Sequence, residues 1–135
     1  MARATPADVD AICGALPETE LGTSWGDRPT WKVPTGRKGR GFVLHRAPQK
    51  NVVDPATGEP YQDLLVISVP DEAAKLALVE SDGPFFTIPH FDGYNAVLVQ
   101  QSRLGEISRA ELAEVLTEAW AAVAPPRLVR EHLGD

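Results

Sequence analysis

Residues 28–46 read RPTWKVPTGRKGRGFVLHR, two short runs of strand-forming residues on either side of a polar, glycine-rich segment. The runs span residues 30–33 and 41–46, and both hold the β-branched and aromatic residues that are typical of strands. Between them, glycines permit positive φ angles and charged side chains favour solvent. The stretch therefore predicts a β-hairpin whose tip lies at residues 34–40.

Positive charge is concentrated on this hairpin. Residues 28–50 contain no acidic residue and seven basic ones, namely Arg28, Lys32, Arg37, Lys38, Arg40, Arg46 and Lys50. The rest of the chain has six basic and nineteen acidic residues, so the net charge of −6 divides into +7 and −13. Clustered cations create a local positive potential and attract phosphate. The alternative is that they keep an edge strand from pairing with other chains.

Length and composition predict one soluble domain over residues 1–135. The chain is 43% hydrophobic and 24% charged, which is ordinary for a globular protein. The one cysteine, Cys13, excludes an internal disulfide and a CxxC metal site. No apolar run approaches the roughly 18 residues of a membrane span, and the N-terminus lacks the apolar core of a secretory signal. We expect a cytoplasmic monomer that does not contact membranes.

Three amphipathic helices are predicted around the strands. The first begins at the N-cap Thr5 and ends before Pro17, because proline disfavours the helical conformation of the residue before it. The second begins after Pro70 and ends at Gly83, with an apolar face formed by Ala73, Leu76, Ala77 and Val79. The third begins with the capping box of Ser108 and Glu111, ends at the prolines 125–126, and is followed by a last helical turn or two at residues 128–133.

The remaining segments complete the predicted order of elements. Further strands are expected at residues 64–69 and 94–100, and an extended segment at 85–89 precedes the latter as its hairpin partner. Residues 48–63 hold turn residues without sustained periodicity and predict a long loop. The order α, β-hairpin, β, α, β-hairpin, α indicates a single α+β domain.

We find no motif of an enzyme or of a cofactor site in the sequence. The glycine-rich segment at residues 36–41 lies between two strands, whereas a phosphate loop joins a strand to a helix. His45, His90 and His132 are too far apart in the chain to form a metal-ligand pair on one helix. The sequence therefore predicts a non-enzymatic protein without a cofactor or metal.

Aromatic residues near turns indicate a second candidate site. His90 lies in the aromatic-rich stretch IPHFDGY at residues 88–94, beside a turn. Trp25 and Trp31 offer rings that stack on ligands, although large aromatic residues at strand spacing also form cores. The alternative to nucleic-acid binding is therefore a groove for a small molecule or a protein near Trp25, Trp31, His90 and Tyr94, with the loop at 48–63 as its lip.

Several stretches resemble the MmcQ/YjbR-like family. They are LPETE at 16–20, TSWG at 23–26, PTWKV at 29–33, GFVL at 41–44, LVISV at 65–69 and FTIPHF at 86–91. The resemblance covers nearly the whole chain and implies an antiparallel sheet packed on one side by helices, the double-wing or CyaY-like (bacterial frataxin) arrangement. A frataxin-like role in iron binding is not favoured, because Asp8 and Asp10 alone are too few for an acidic ridge.

The resemblance also implies binding of DNA, an expectation that rests on likeness of fold and not on a base-reading motif. The basic hairpin at residues 28–50 agrees with it, because exposed amides and cations suit contacts to phosphate. We expect weak binding of duplex DNA with little preference among sequences.

Overall fold

A computed structural model of the chain describes residues 2–24, 28–34, 41–46 and 52–133, and for Ser24, Arg28 and His90 it describes the backbone alone. Five strands form one antiparallel sheet in which each strand pairs with the next along the chain. They are β1 Glu20–Ser24, β2 Arg28–Lys32, β3 Gly41–His45, β4 Leu64–Ser68 and β5 Ala96–Gln100. The strands β1 and β5 therefore lie at opposite edges of the sheet.

Four α-helices accompany the sheet in the part of the chain that the structure describes. They are α1 Pro6–Ala15, α2 Glu72–Val79, α3 Arg109–Val123 and α4 Pro126–Leu133. The predicted start of α1 at Thr5 is confirmed, as is the capping box of Ser108 and Glu111 that begins α3. Short 3₁₀ turns occupy Pro89–Phe91 and Gln101–Glu106. No helix in the described ranges is both long and apolar enough to cross a bilayer.

The main core lies between the helices and one face of the sheet. Inward side chains of β3 to β5 meet Leu112, Leu116 and Trp120 of α3, and all of these are shielded from solvent. The indole Nε1 of Trp120 donates a hydrogen bond to the carbonyl of Pro17, at 3.0 Å. Helices on one side of an antiparallel sheet confirm the α+β class.

A second, smaller apolar cluster covers the opposite face of the sheet. Its buried members alternate with those of the main core along β4 and β5: Leu64, Val66, Ala96 and Leu98. Partly buried side chains from the connections at residues 52–61 and 86–91 pack on it, among them Tyr61, Phe86 and Phe91. We call this side the loop-covered face.

The strands differ from the prediction at both edges of the sheet. The strand β1 was not predicted, because Leu21 is its only apolar residue and one apolar residue gives no alternating pattern. In the structure Leu21 is 51% exposed. Phe86 forms only an isolated bridge with Leu98, where a second hairpin was expected. Pro84 and Pro89 flank this segment, and proline has no N–H for a longer ladder of hydrogen bonds.

Two further predictions concern α2 and the loop at residues 48–63. The apolar face predicted for α2 is wrong in three of its four residues: Val79 packs against the main core, but Ala73, Leu76 and Ala77 are exposed, Leu76 to 47%, while Lys75 is buried. The loop predicted at 48–63 lies partly outside the described residues, and its described part contains a tight turn. Val53 bridges Pro60, and the backbone N–H of Gly58, with φ of 75°, donates to the carbonyl of Asp54 at 2.7 Å.

Candidate functional site

The predicted basic hairpin is an antiparallel pair of neighbouring strands. Thr30 lies opposite Leu44 and Trp31 opposite Val43, and an irregularity follows before Lys32 pairs with Gly41. A Cβ atom on Gly41 would collide with the side chain of Thr30, so this close approach requires glycine. The acid-free segment thus contributes two adjacent strands to the sheet.

The structure describes the side chains of two of the seven candidate cations. Arg37, Lys38, Arg40 and Lys50 lie outside the described residues, and Arg28 begins β2. The stem of Lys32 lies along Gly22 of β1, and its Nζ donates to the carbonyl of Thr23 at 3.1 Å. Arg46 follows the other end of β3. Since Lys32 pairs with Gly41 at the start of β3, the two described cations lie near opposite ends of β3.

Arg46 is partly buried against the loop-covered face. Its backbone N–H donates to the carbonyl of Leu64 at 3.0 Å, and its guanidinium carbon lies 5.2 Å from the centroid of the Phe91 ring. Burial lowers the pKa of Arg46, yet a guanidinium remains charged at physiological pH. Its Nε is buried and finds no acceptor among the described residues. Arg46 is thus a desolvated cation with an unused donor.

Two pairs of aromatic rings lie on the loop-covered face, and one of them includes Phe91. Tyr61 and Phe86 stack at a tilt, with ring centroids 5.3 Å apart, and Tyr94 meets Phe91 edge-on at 6.1 Å. Tyr94 is 61% exposed, so most of its ring faces solvent. Burial raises the pKa of Tyr61, and the nearby carboxylate of Asp54 adds to this effect. We call Arg46, Tyr61, Phe86, Phe91 and Tyr94 the aromatic cluster.

Lys75 of α2 is hydrogen-bonded to the turn that contains Phe91 and Tyr94. It is 7% exposed, and its Nζ donates to the carbonyls of Phe91 and Tyr94 at 2.7 and 2.8 Å. The turn also requires Gly93, whose φ of 84° lies in the left-handed region. Lysine is rarely buried without a partner, and here two carbonyl dipoles take that role. The sequence showed no sign of this contact.

The residues of the predicted groove do not all meet. Trp25 lies outside the described residues. Trp31 packs on α1 within the main core, and its Nε1 donates to a carboxylate oxygen of Asp10 at 2.8 Å. Tyr94 precedes β5, from which β2 is separated by β3 and β4, and His90 lies in the neighbouring turn Pro89–Phe91. Trp31 therefore packs against the main core, whereas Tyr94 contacts Phe91 of the loop-covered face.

Cys13 is a core residue of α1. Burial raises the pKa of its thiol to about 12, and the negative charge of Asp10 adds to this shift. A thiol with such a pKa is a poor nucleophile, because the thiolate is the reactive form. Among the residues described, we also find no group of three histidine, cysteine or acidic side chains that could hold a metal ion.

Comparison with known proteins finds a matching family, similar mycobacterial proteins and a crystal structure of similar fold. Residues 14–122 match the family described as YjbR. The chain is 38% identical to the uncharacterized proteins Rv2570 of Mycobacterium tuberculosis and Mb2600 of Mycobacterium bovis, over 98% of either chain. It is also similar to the crystal structure of the Deinococcus radiodurans protein DR2400, with its domain DUF419. There the TM-score is 0.58 with 20% identity over 96% of this chain and 88% of that one, a likeness of fold alone.

Proposed function

We propose that this chain, which belongs to the YjbR family, binds the phosphate backbone of nucleic acid through the β2–β3 hairpin and does not catalyse a reaction. The observation that supports the proposal is the placement of the acid-free segment. Its two runs form neighbouring strands, so the segment of sequence that carries the seven cations supplies two adjacent strands of the sheet. Clustered cations of this kind are what binding to phosphate requires.

Ion pairs elsewhere leave the hairpin as the main source of positive charge. Arg103, Arg109 and Arg127 each pair with a carboxylate in the described part of the chain. None of those ion pairs involves Lys32 or Arg46. The positive potential of the hairpin is therefore not cancelled by local pairing of these two side chains.

The surroundings favour contacts to phosphate over contacts to bases. Reading bases in the major groove normally needs a helix or a strand pair whose side chains present donors and acceptors to base edges. Of the two described cations of the hairpin, Lys32 donates to a backbone carbonyl and Arg46 is partly buried. The exposed side of α3 is acidic, with Glu111, Glu114 and Glu118, and would repel a duplex. We therefore expect weak binding without sequence preference, with a dissociation constant on the order of 10⁻⁶ to 10⁻⁴ M at physiological salt.

Fluorescence anisotropy with a short labelled DNA duplex tests this function. A variant with Arg37→Gln, Lys38→Gln and Arg40→Gln removes three positive charges from the hairpin. A matched control with Arg109→Gln, Arg127→Gln and Arg130→Gln removes the same charge from α3 and α4. At low salt we expect the hairpin variant to bind on the order of tenfold more weakly and the control to bind like the parent. Equal weakening in both variants would show that only net charge matters.

A further inference from the structure

We propose that the loop-covered face holds a second binding site, formed by Arg46, Phe91 and Tyr94, for a planar aromatic anion. The ligand class is a flat ring that carries a carboxylate or a phosphate group. The site shares Arg46 with the proposed phosphate-binding segment, but the inference does not depend on the binding of DNA, because it is argued from the contacts among Arg46, Phe91 and Tyr94.

The cationic end of the site is the guanidinium of Arg46. Its central carbon lies 5.2 Å from the centroid of the Phe91 ring. Its Nε lacks an acceptor within the described residues but is itself shielded from solvent, so a ligand would meet the rest of this partly buried side chain. No ion pair in those ranges engages Arg46, so no carboxylate of the described chain neutralises it. A desolvated guanidinium favours a charge-assisted hydrogen bond, and carboxylate and phosphate oxygens are its best acceptors. The ligand is therefore an anion.

The apolar end of the site is the ring of Tyr94. This ring is 61% exposed although it contacts Phe91 edge-on at 6.1 Å. An exposed tyrosine offers a ring face for stacking, and offset or edge-on contacts between aromatic rings are favourable. A planar ring on Tyr94 would place its acidic substituent toward Arg46, because both side chains contact the same Phe91 ring.

Lys75 makes this arrangement rigid before a ligand arrives. Its Nζ fixes the carbonyls of Phe91 and Tyr94, so both rings are carried by one tethered turn. A site that is already ordered loses less conformational entropy on binding. Lys75 is thus a positioning residue and does not itself contact the ligand.

Titration followed by NMR chemical shifts tests the site with 2-naphthoate, 1-naphthyl phosphate and the uncharged 2-naphthamide. We expect saturable binding of one or both anions and at least tenfold weaker binding of the amide. Arg46→Gln should weaken the anions at least tenfold and leave the amide unchanged. Arg103→Gln is the matched control, because it removes the same charge from an arginine that already pairs with Glu106. This control should bind like the parent.

Two further variants make the test decisive. Tyr94→Ala removes a mostly exposed side chain, so we expect the variant to fold like the parent. It should weaken the binding of all three compounds. The hairpin variant at residues 37, 38 and 40 should bind naphthoate like the parent, even if DNA binding is lost or was never present. Absence of saturable shifts with both anions would overturn the proposal, and so would equal losses for Arg46→Gln and Arg103→Gln.

Discussion

Lys75 shows at the scale of a residue how this fold uses a buried charge. Its ammonium group has two carbonyl partners, and none of the ion pairs in the described ranges supplies a carboxylate. The usual cost of burying a charge is reduced because the ammonium group donates to both carbonyls, each of which also accepts one backbone N–H. The contact connects α2 to the turn before β5.

Replacing Lys75 by Met tests this contact. The substitution keeps the approximate length of the side chain but removes both hydrogen bonds of the ammonium group, so that the carbonyls of Phe91 and Tyr94 keep only one backbone donor each. We expect the free energy of unfolding in urea to fall by about 1–3 kcal/mol. Lys32→Met, which removes one hydrogen bond at a more exposed place, should cost less than about 1 kcal/mol. Equal losses in the two variants would contradict this role for Lys75.

Cys13 should make the stability of the protein depend on alkaline pH. Burial, with Asp10 adding to it, raises the pKa of this thiol to about 12 in the folded state, above the ordinary value of 9.0. The folded state then keeps the proton that the unfolded chain loses, so this contribution is complete below pH 9 and declines as the pH rises toward 12. Urea unfolding at several pH values should show a smaller alkaline decline for Cys13→Ala than for the parent. Parallel declines would count against a buried, protonated thiol.

At the scale of an element, α3 provides the side chains on which the main core depends. Leu116 is fully buried at the centre of this helix, whereas Glu114 lies on its exposed side. Leu116→Ala should lower the free energy of unfolding by about 2–5 kcal/mol, because the methyl groups leave a cavity behind. Glu114→Ala should change it by less than about 0.5 kcal/mol. A urea midpoint for Leu116→Ala within error of the parent would mean that this packing is misplaced.

Local signals in the sequence predicted an element correctly where the signal depends only on residues that are close together in the chain. The predicted N-cap Thr5 and the predicted capping box at Ser108 depend on hydrogen bonds within four residues, and both helices begin where they indicate. The strand β1 depends on pairing with β2, which no local pattern reveals. In α2, Leu76 fits a helical stripe, but packing against the sheet instead buries Lys75. Tertiary contacts outweigh local preference in both elements.

At the scale of the whole molecule, the pairing of the strands brings together residues whose contact the sequence did not predict. Arg46 and Phe91 are 45 positions apart in the chain. They meet because β3 and β4 pair and because the connection before β5 folds over the outer face of the sheet. The charge asymmetry, by contrast, is visible in the sequence, since it depends only on which residues lie between positions 28 and 50.

The most direct test of binding through the hairpin is the salt dependence of duplex affinity. Each phosphate contact changes the slope of log affinity against log salt by about 0.9. The variant with glutamine at residues 37, 38 and 40 should therefore have a slope flatter than that of the parent by about 2 to 3. The matched variant at residues 109, 127 and 130 should keep the slope of the parent. A parent that fails to bind duplex at low salt, or whose slope the hairpin substitutions leave unchanged, would contradict the proposed function.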